Sequence, residues 1–266
     1  MLKLTTRTLV VAVVIAIGFA SHVFATHSWG GYHWARTGNP FTLKVGDNVS
    51  QAWDARLDEA ISDWSVSTVL DLTKVAGGTR PKSCRATSGR IEVCNASYGN
   101  TGWLGIAQIS ITGGEHITQG IAKLNDTYFN TATYNTYSWR QLVMCQEIAH
   151  AFGLGHQDEN FENGNFGTCM DYTSNPGGNE HPNAHDWEQL ESIYSHLDTT
   201  TTVGSSTLPS TMPPAMGQIA FDTPAQWGRV VRSSANGRVQ TYELDFGRGH
   251  RVITHVFWAD PDADRR

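Results

Sequence analysis

Between residues 50 and 64 apolar side chains recur at steps of three and four: Trp53, Leu57, Ala60, Ile61 and Trp64. That spacing lines one face of a helix, and Ser50 stands where an N-cap hydroxyl belongs. A second helix is expected from Ser138 to about Phe152, closed by Gly153, since glycine readily takes the left-handed backbone that ends a helix. A third starts at Pro182 or Asn183 and carries Trp187, Leu190, Ile193, Tyr194 and Leu197 on one face. Elsewhere the period shortens. Tyr32 and Trp34 alternate with His33 as in a strand. Ser67 to Leu72, Ile91 to Cys94, Gly102 to Ile111 and His116 to Leu124 read as further strands, the last two joined at Gly113-Gly114. Ala76 to Ser88 reads as loop. Near the C-terminus, Gly228 to Ser233, Val239 to Phe246 and Val252 to Trp258 form three more expected strands, with Asn236-Gly237 marking a hairpin.

The first residues read as an address. Lys3 and Arg7 precede an apolar run from Leu9 to Ala20, and Val23-Phe24-Ala25 has the small-x-small form of a cleavage site. Residues 1–25 are therefore expected to be a signal peptide, and the chain to be secreted. The run is short for a membrane span, so no stable membrane insertion is expected. Residues 26–198 form the main domain, 199–216 a Thr/Ser/Pro linker, and 217–266 a small β-rich appendage. A three-stranded meander is near the minimum that stands alone, so it either folds by itself or docks on the main domain. Its Trp227, Tyr242 and Trp258 form a binding face in the first case and a buried core in the second.

Of 266 residues, 39% are hydrophobic and 17% charged, which suits a folded chain rather than a disordered one. A formal charge of -6, with no Lys/Arg run, excludes nucleic acid as a partner, because phosphate binding needs a basic face. Secretion makes the four cysteines candidates for two disulfides. Three pairings are possible. Cys84–Cys94, closing a short loop, and Cys145–Cys169, tying the second helix to a later turn, are favoured. Asn48, Asn95 and Asn125 each open an Asn-x-Ser/Thr glycosylation pattern.

The chemistry concentrates in Gln146-Glu147-Ile148-Ala149-His150-Ala151-Phe152-Gly153-Leu154-Gly155-His156. On a helix, positions 146 and 150 share a face one turn apart, with 147 on the flank. A break at Gly153 and a turn at Gly155 bring His156 back toward the same point. Three such ligands leave a fourth position open, as catalytic zinc requires. A glutamate beside it can move the proton of an activated water.

This segment resembles the extended zinc motif of the metzincins, His-Glu-x-x-His-x-x-Gly-x-x-His, with Glu147, His150, Gly153 and His156 in register. Thr168-Cys169-Met170-Asp171-Tyr172 resembles the methionine turn beneath the metal, and Gly102 to Ala107 resembles the sheet bordering the cleft. The helix from Asp186 to Tyr194 is similar to the last helix of secreted matrixin-like domains. The resemblance covers residues 27 to 198. It implies an α/β fold (α+β in detail) with a twisted, mostly parallel sheet, Zn2+ as cofactor and a protein or peptide substrate. It further implies Glu147 as general base, His150 and His156 as metal ligands, Met170 as packing below the metal and Tyr172 as an aid to the oxyanion.

The departure is Gln146, where the motif has its first histidine. An amide oxygen is a weak ligand beside imidazole or carboxylate. Either Gln146 binds zinc through that oxygen, or Asp158, His181 or His185 completes the set, or another metal is held, or the metal is lost. The functional expectation is a zinc endopeptidase; its alternative is a catalytically silent relative that binds peptide or protein through the cleft. Latency from a cysteine-bearing propeptide is not expected.

Overall fold

A computed structural model describes residues 27–218 and 221–261. The expected signal peptide and the ends of the appendage lie outside the described residues. Among these, no helix is long and apolar enough to cross a membrane.

The chain runs β1 (His33–Trp34), β2 (Phe41–Asn48), α1 (Gln51–Trp64), β3 (Leu70–Ala76), β4 (Ile91–Ala96), β5 (Trp103–Thr112), β6 (His116–Asn125), α2 (Asp126–Phe129), α3 (Tyr137–His150), α4 (Ala184–Ile193), β7 (Arg229–Ser233), β8 (Val239–Gly247) and β9 (His250–Trp258). Strand β2 is absent from the expected elements. Its Phe41, Leu43 and Val45 are buried between exposed Thr42 and Lys44, an alternation cut short by Gly46-Asp47-Asn48, which reads as a turn.

One mixed sheet runs through the molecule in the order β3-β2-β4-β6-β5-β9-β8-β7, with β1 beside β6. The strands from β3 to β6, and β1, pair in parallel. From β6 onward every pairing is antiparallel. The sheet is thus parallel over one half, where "mostly parallel" was expected. The other half is built by the C-terminal strands, which extend the sheet past β5 instead of standing apart. An unpaired β5 edge would leave a row of peptide groups open, and β9 takes them.

The main core collects Trp34, Trp53, Leu57, Trp64, Phe129 and Phe152, all fully buried. Each large aromatic adds on the order of 3 kcal/mol through apolar burial. A second core joins Trp103 and Ile106 of β5 to Phe221, Trp227, Tyr242 and Val256 of the C-terminal region. Trp227 is 0% exposed and donates its indole N–H to the Phe221 carbonyl at 2.8 Å, and Tyr242 is buried beside it, so both pack inward, while Trp258 is partly buried against them. The stretch expected as a free linker is pinned. Asp198 N–H donates to Arg36 O at 2.9 Å, Thr202 N–H to Ala35 O at 2.9 Å and Gly204 N–H to Gly89 O at 2.8 Å.

Three local expectations shift. Helix α3 is capped by Thr136, whose hydroxyl accepts the Trp139 N–H at 3.2 Å, while Ser138 donates to Glu180 instead. Leu197 lies beyond α4 and is 57% exposed. The three sequon asparagines are buried and their amides donate to neighbours, Asn48 to Glu92 at 2.7 Å, Asn95 to Asp126 at 2.5 Å and Asn125 to Trp103 O at 3.2 Å. A folded chain therefore cannot carry sugar there. Disulfides join Cys84 to Cys94 and Cys145 to Cys169.

Candidate metal centre

Helix α3 is buried from Trp139 to His150, polar residues included, so any polar atom left there without a partner is costly. It packs under β5, and Gly105 permits the approach: a Cβ there would stand 2.5 Å from Val143 and 2.6 Å from Glu147 Oε1. After His150 the chain breaks at Gly153. Its φ of 98° suits glycine, and a Cβ would meet the Tyr32 carbonyl at 2.0 Å. The bend returns His156 to His150, with their Nε2 atoms 3.0 Å apart.

A third imidazole joins them from far along the chain. His255 of β9 is buried, and one nitrogen from each of His150, His156 and His255 lies within 4.8 Å of the others. Ring centroids of His150 and His255 are 4.0 Å apart. In every ring Nδ1 has an oxygen partner. His150 Nδ1 faces Leu154 O at 2.7 Å, His156 Nδ1 faces Tyr172 Oη at 2.9 Å, and His255 Nδ1 faces Glu147 Oε2 at 3.0 Å. With Nδ1 carrying the proton, each Nε2 keeps a lone pair turned inward. His255 Nε2 is buried without a partner.

Burial holds these rings neutral. It pushes the His150 and His255 imidazoles down to about 3 and lowers His156 well below its usual value. The same desolvation pushes the Glu147 carboxyl up to about 8. Neutral imidazole is the form that binds a metal.

Gln146 donates its amide N–H to Cys169 O at 2.8 Å, while its Oε1 is buried and unpartnered. Glu147 Oε1 is also buried and unpartnered. The Cys145–Cys169 bond ties α3 to the turn bearing Met170 and Tyr172, both buried. The Met170 carbonyl accepts the Gln157 N–H at 2.6 Å, fixing the chain beside His156.

The other sequence candidates are engaged elsewhere. Asp158 accepts from Asn160 and Asn163. His181 pairs with Asp63 at 2.7 Å, and His185 faces His27 at 3.0 Å. Tyr172, expected at an oxyanion, has its hydroxyl taken by His156. Sequence reasoning missed His255. Its signal was a polar Thr254-His255 pair inside the apolar run Val252-Ile253 and Val256-Phe257, fully buried in the fold.

Fold and site together define a mixed α/β protein with a buried cluster of three imidazoles and one carboxylate. No family model and no curated protein matches the chain. Among solved structures it is similar to high choriolytic enzyme 1, a hatching enzyme zinc-protease from Oryzias latipes (Medaka fish), at 11% identity and a TM-score of 0.35, over 61% of this chain and 94% of that one. So loose a superposition leaves the functional reading to the site's own geometry.

Proposed function

We propose that this protein is a secreted zinc-dependent endopeptidase acting on protein or peptide, held in a latent form by its own C-terminal strand. The carrying observation is the set of three imidazoles, each with Nδ1 engaged by an oxygen and Nε2 turned inward, beside a buried carboxylate. That donor set fits zinc. The unpartnered Gln146 Oε1 and His255 Nε2 are the kind of buried polar atoms that call for an ion.

His150, His156 and, while β9 is docked, His255 would hold the ion, and Gln146 would offer its unpartnered amide oxygen as a further ligand. When bound, zinc polarises a scissile carbonyl and lowers the pKa of water from 15.7 toward about 7. Glu147 would take a proton from water at the site and pass it to the leaving amine. Tyr172 holds the His156 ring, and Met170 packs beneath the site. A substrate strand must displace β9 from β5, which is why the docked form is latent.

The depth of that docking favours a second reading, a catalytically silent relative. Val256 and Phe257 beside His255 are 0% exposed. The test measures zinc content and chelator-sensitive casein cleavage for the full chain and for one cut at a protease site placed at exposed residues 206–207. Zinc that disappears with His150→Ala/His156→Ala, and cleavage that appears on cutting, support the peptidase. Zinc without cleavage in either form establishes the silent relative. No zinc at this cluster overturns both.

A further inference from the structure

A second group of histidines stands apart from the first and shares none of its residues. His33 of β1 and His116 of β6 are register partners in a parallel pairing, so both side chains leave the same face of the sheet. His196 and Asp198 follow α4 and arrive at the same place. His33 Nε2 lies 3.2 Å from His196 Nε2 and 3.5 Å from Asp198 Oδ1. His116 Nε2 lies 3.2 Å from the same Oδ1, and His196 Nε2 3.9 Å from it.

Three of these atoms, one from each of His33, His196 and Asp198, lie within 4.8 Å of one another, as the ligands of one ion would, while His116 reaches only the carboxylate. Atoms bound tetrahedrally to zinc at 2.0–2.1 Å lie about 3.4 Å from one another. The supports match as well. His33 Nδ1 faces Gly31 O at 3.0 Å, which leaves Nε2 as the donor atom. Asp198 Oδ2 accepts the Arg36 backbone N–H at 3.1 Å and its guanidinium at 3.0 Å, which leaves Oδ1 free to face the rings. Hydrogen bonding alone accounts for one donated proton between His33 and His196 and one between His116 and Asp198. It gives no reason for the His33, His196 and Asp198 atoms to gather at one point.

We propose that His33, His196 and Asp198 hold a second zinc ion, with His116 bonded to the Asp198 carboxylate from outside the ligand set. Three protein ligands leave the fourth position to solvent. It fastens β1 to the point where the chain leaves α4 for the C-terminal strands. The side chain of His196 is 50% exposed and that of His116 26%, so an ion can enter from solvent.

The test uses the full chain carrying His150→Ala, His156→Ala and His255→Ala, which separates this site from the proposed catalytic one. Expected is one zinc per chain, replaceable by cobalt with the strong visible absorption of tetrahedral coordination, and a rise in Tm on adding zinc. Adding His116→Ala and His196→Ala, both at least partly exposed, should abolish all three. Should the triple variant fail to fold, the same pair placed in the unaltered chain is expected to lower zinc content by one per chain and to leave circular dichroism unchanged. Unchanged zinc content on removing the pair, or no zinc in a folded triple variant, overturns the proposal.

Discussion

The two histidine clusters are built from similar parts and differ in where they lie. The cluster at α3 is buried, its rings are held neutral, and three of its polar atoms have no partner: Gln146 Oε1, Glu147 Oε1 and His255 Nε2. The cluster at β1 and β6 reaches solvent, and its carboxylate is already braced by Arg36. Burial makes the first cluster costly to leave without an ion, since each unsatisfied buried group costs about 1–3 kcal/mol. It also leaves a carboxylate in a dry site, where chemistry is possible. The second offers three ligands beside solvent, with its carboxylate already braced, which suits holding rather than reacting. The contrast shows how similar side chains take different work from their surroundings.

The largest effect should come from Glu147→Gln. Turnover by the cut, active form is expected to fall by about 10²–10⁴, the share of a general base, while zinc content stays unchanged. Activity surviving at a tenth or more in a casein assay would remove Glu147 from the mechanism and make the first cluster a holding site like the second.

Next is His255→Ala. In the full chain, competition against a chelator should show zinc at the first cluster bound about a hundredfold more weakly or worse, since losing even an outer partner of a ligand costs 10–100-fold. The second cluster should keep its ion. Equal affinity would mean that β9 covers the metal without touching it.

Tyr172→Phe removes the oxygen that orients His156. Affinity at the first cluster should drop about tenfold by the same competition, with the fold intact by circular dichroism. No change would show that His156 is held by packing alone. The smallest effect is expected from Gln146→Ala. A neutral amide is the weakest donor in the set, so the docked chain should lose less than about tenfold in zinc affinity. A complete loss of zinc would promote Gln146 to an essential ligand and demote His255.

How much was legible follows from range. The stretch from Gln146 to His156 could be read locally, because helix periodicity and a glycine break place its side chains without help from the rest of the chain. The asparagine cap of α4, with Asp186 completing the capping box, is likewise a short-range pattern. Strand β2 was missed because its alternation is brief and ends in turn-forming residues. His255 was missed because a single histidine in a strand has no local pattern, and its partner Glu147 lies 108 positions away. Gln146 departs from the motif that its segment resembles, and no local pattern points from it to His255.

The sequence by itself determined the three longer helices, most of the strands, the favoured cysteine pairs and the stretch of chain on which the candidate site is built. These rest on contacts between near neighbours, for which spacing is enough. Only the tertiary structure decided that the C-terminal strands extend the sheet beyond β5, that β9 brings His255 to His150 and His156, and that His33, His116, His196 and Asp198 meet. Strand pairing joins segments at any separation along the chain. Which edge a strand takes depends on the whole sheet and on the core it closes, and no local pattern encodes it.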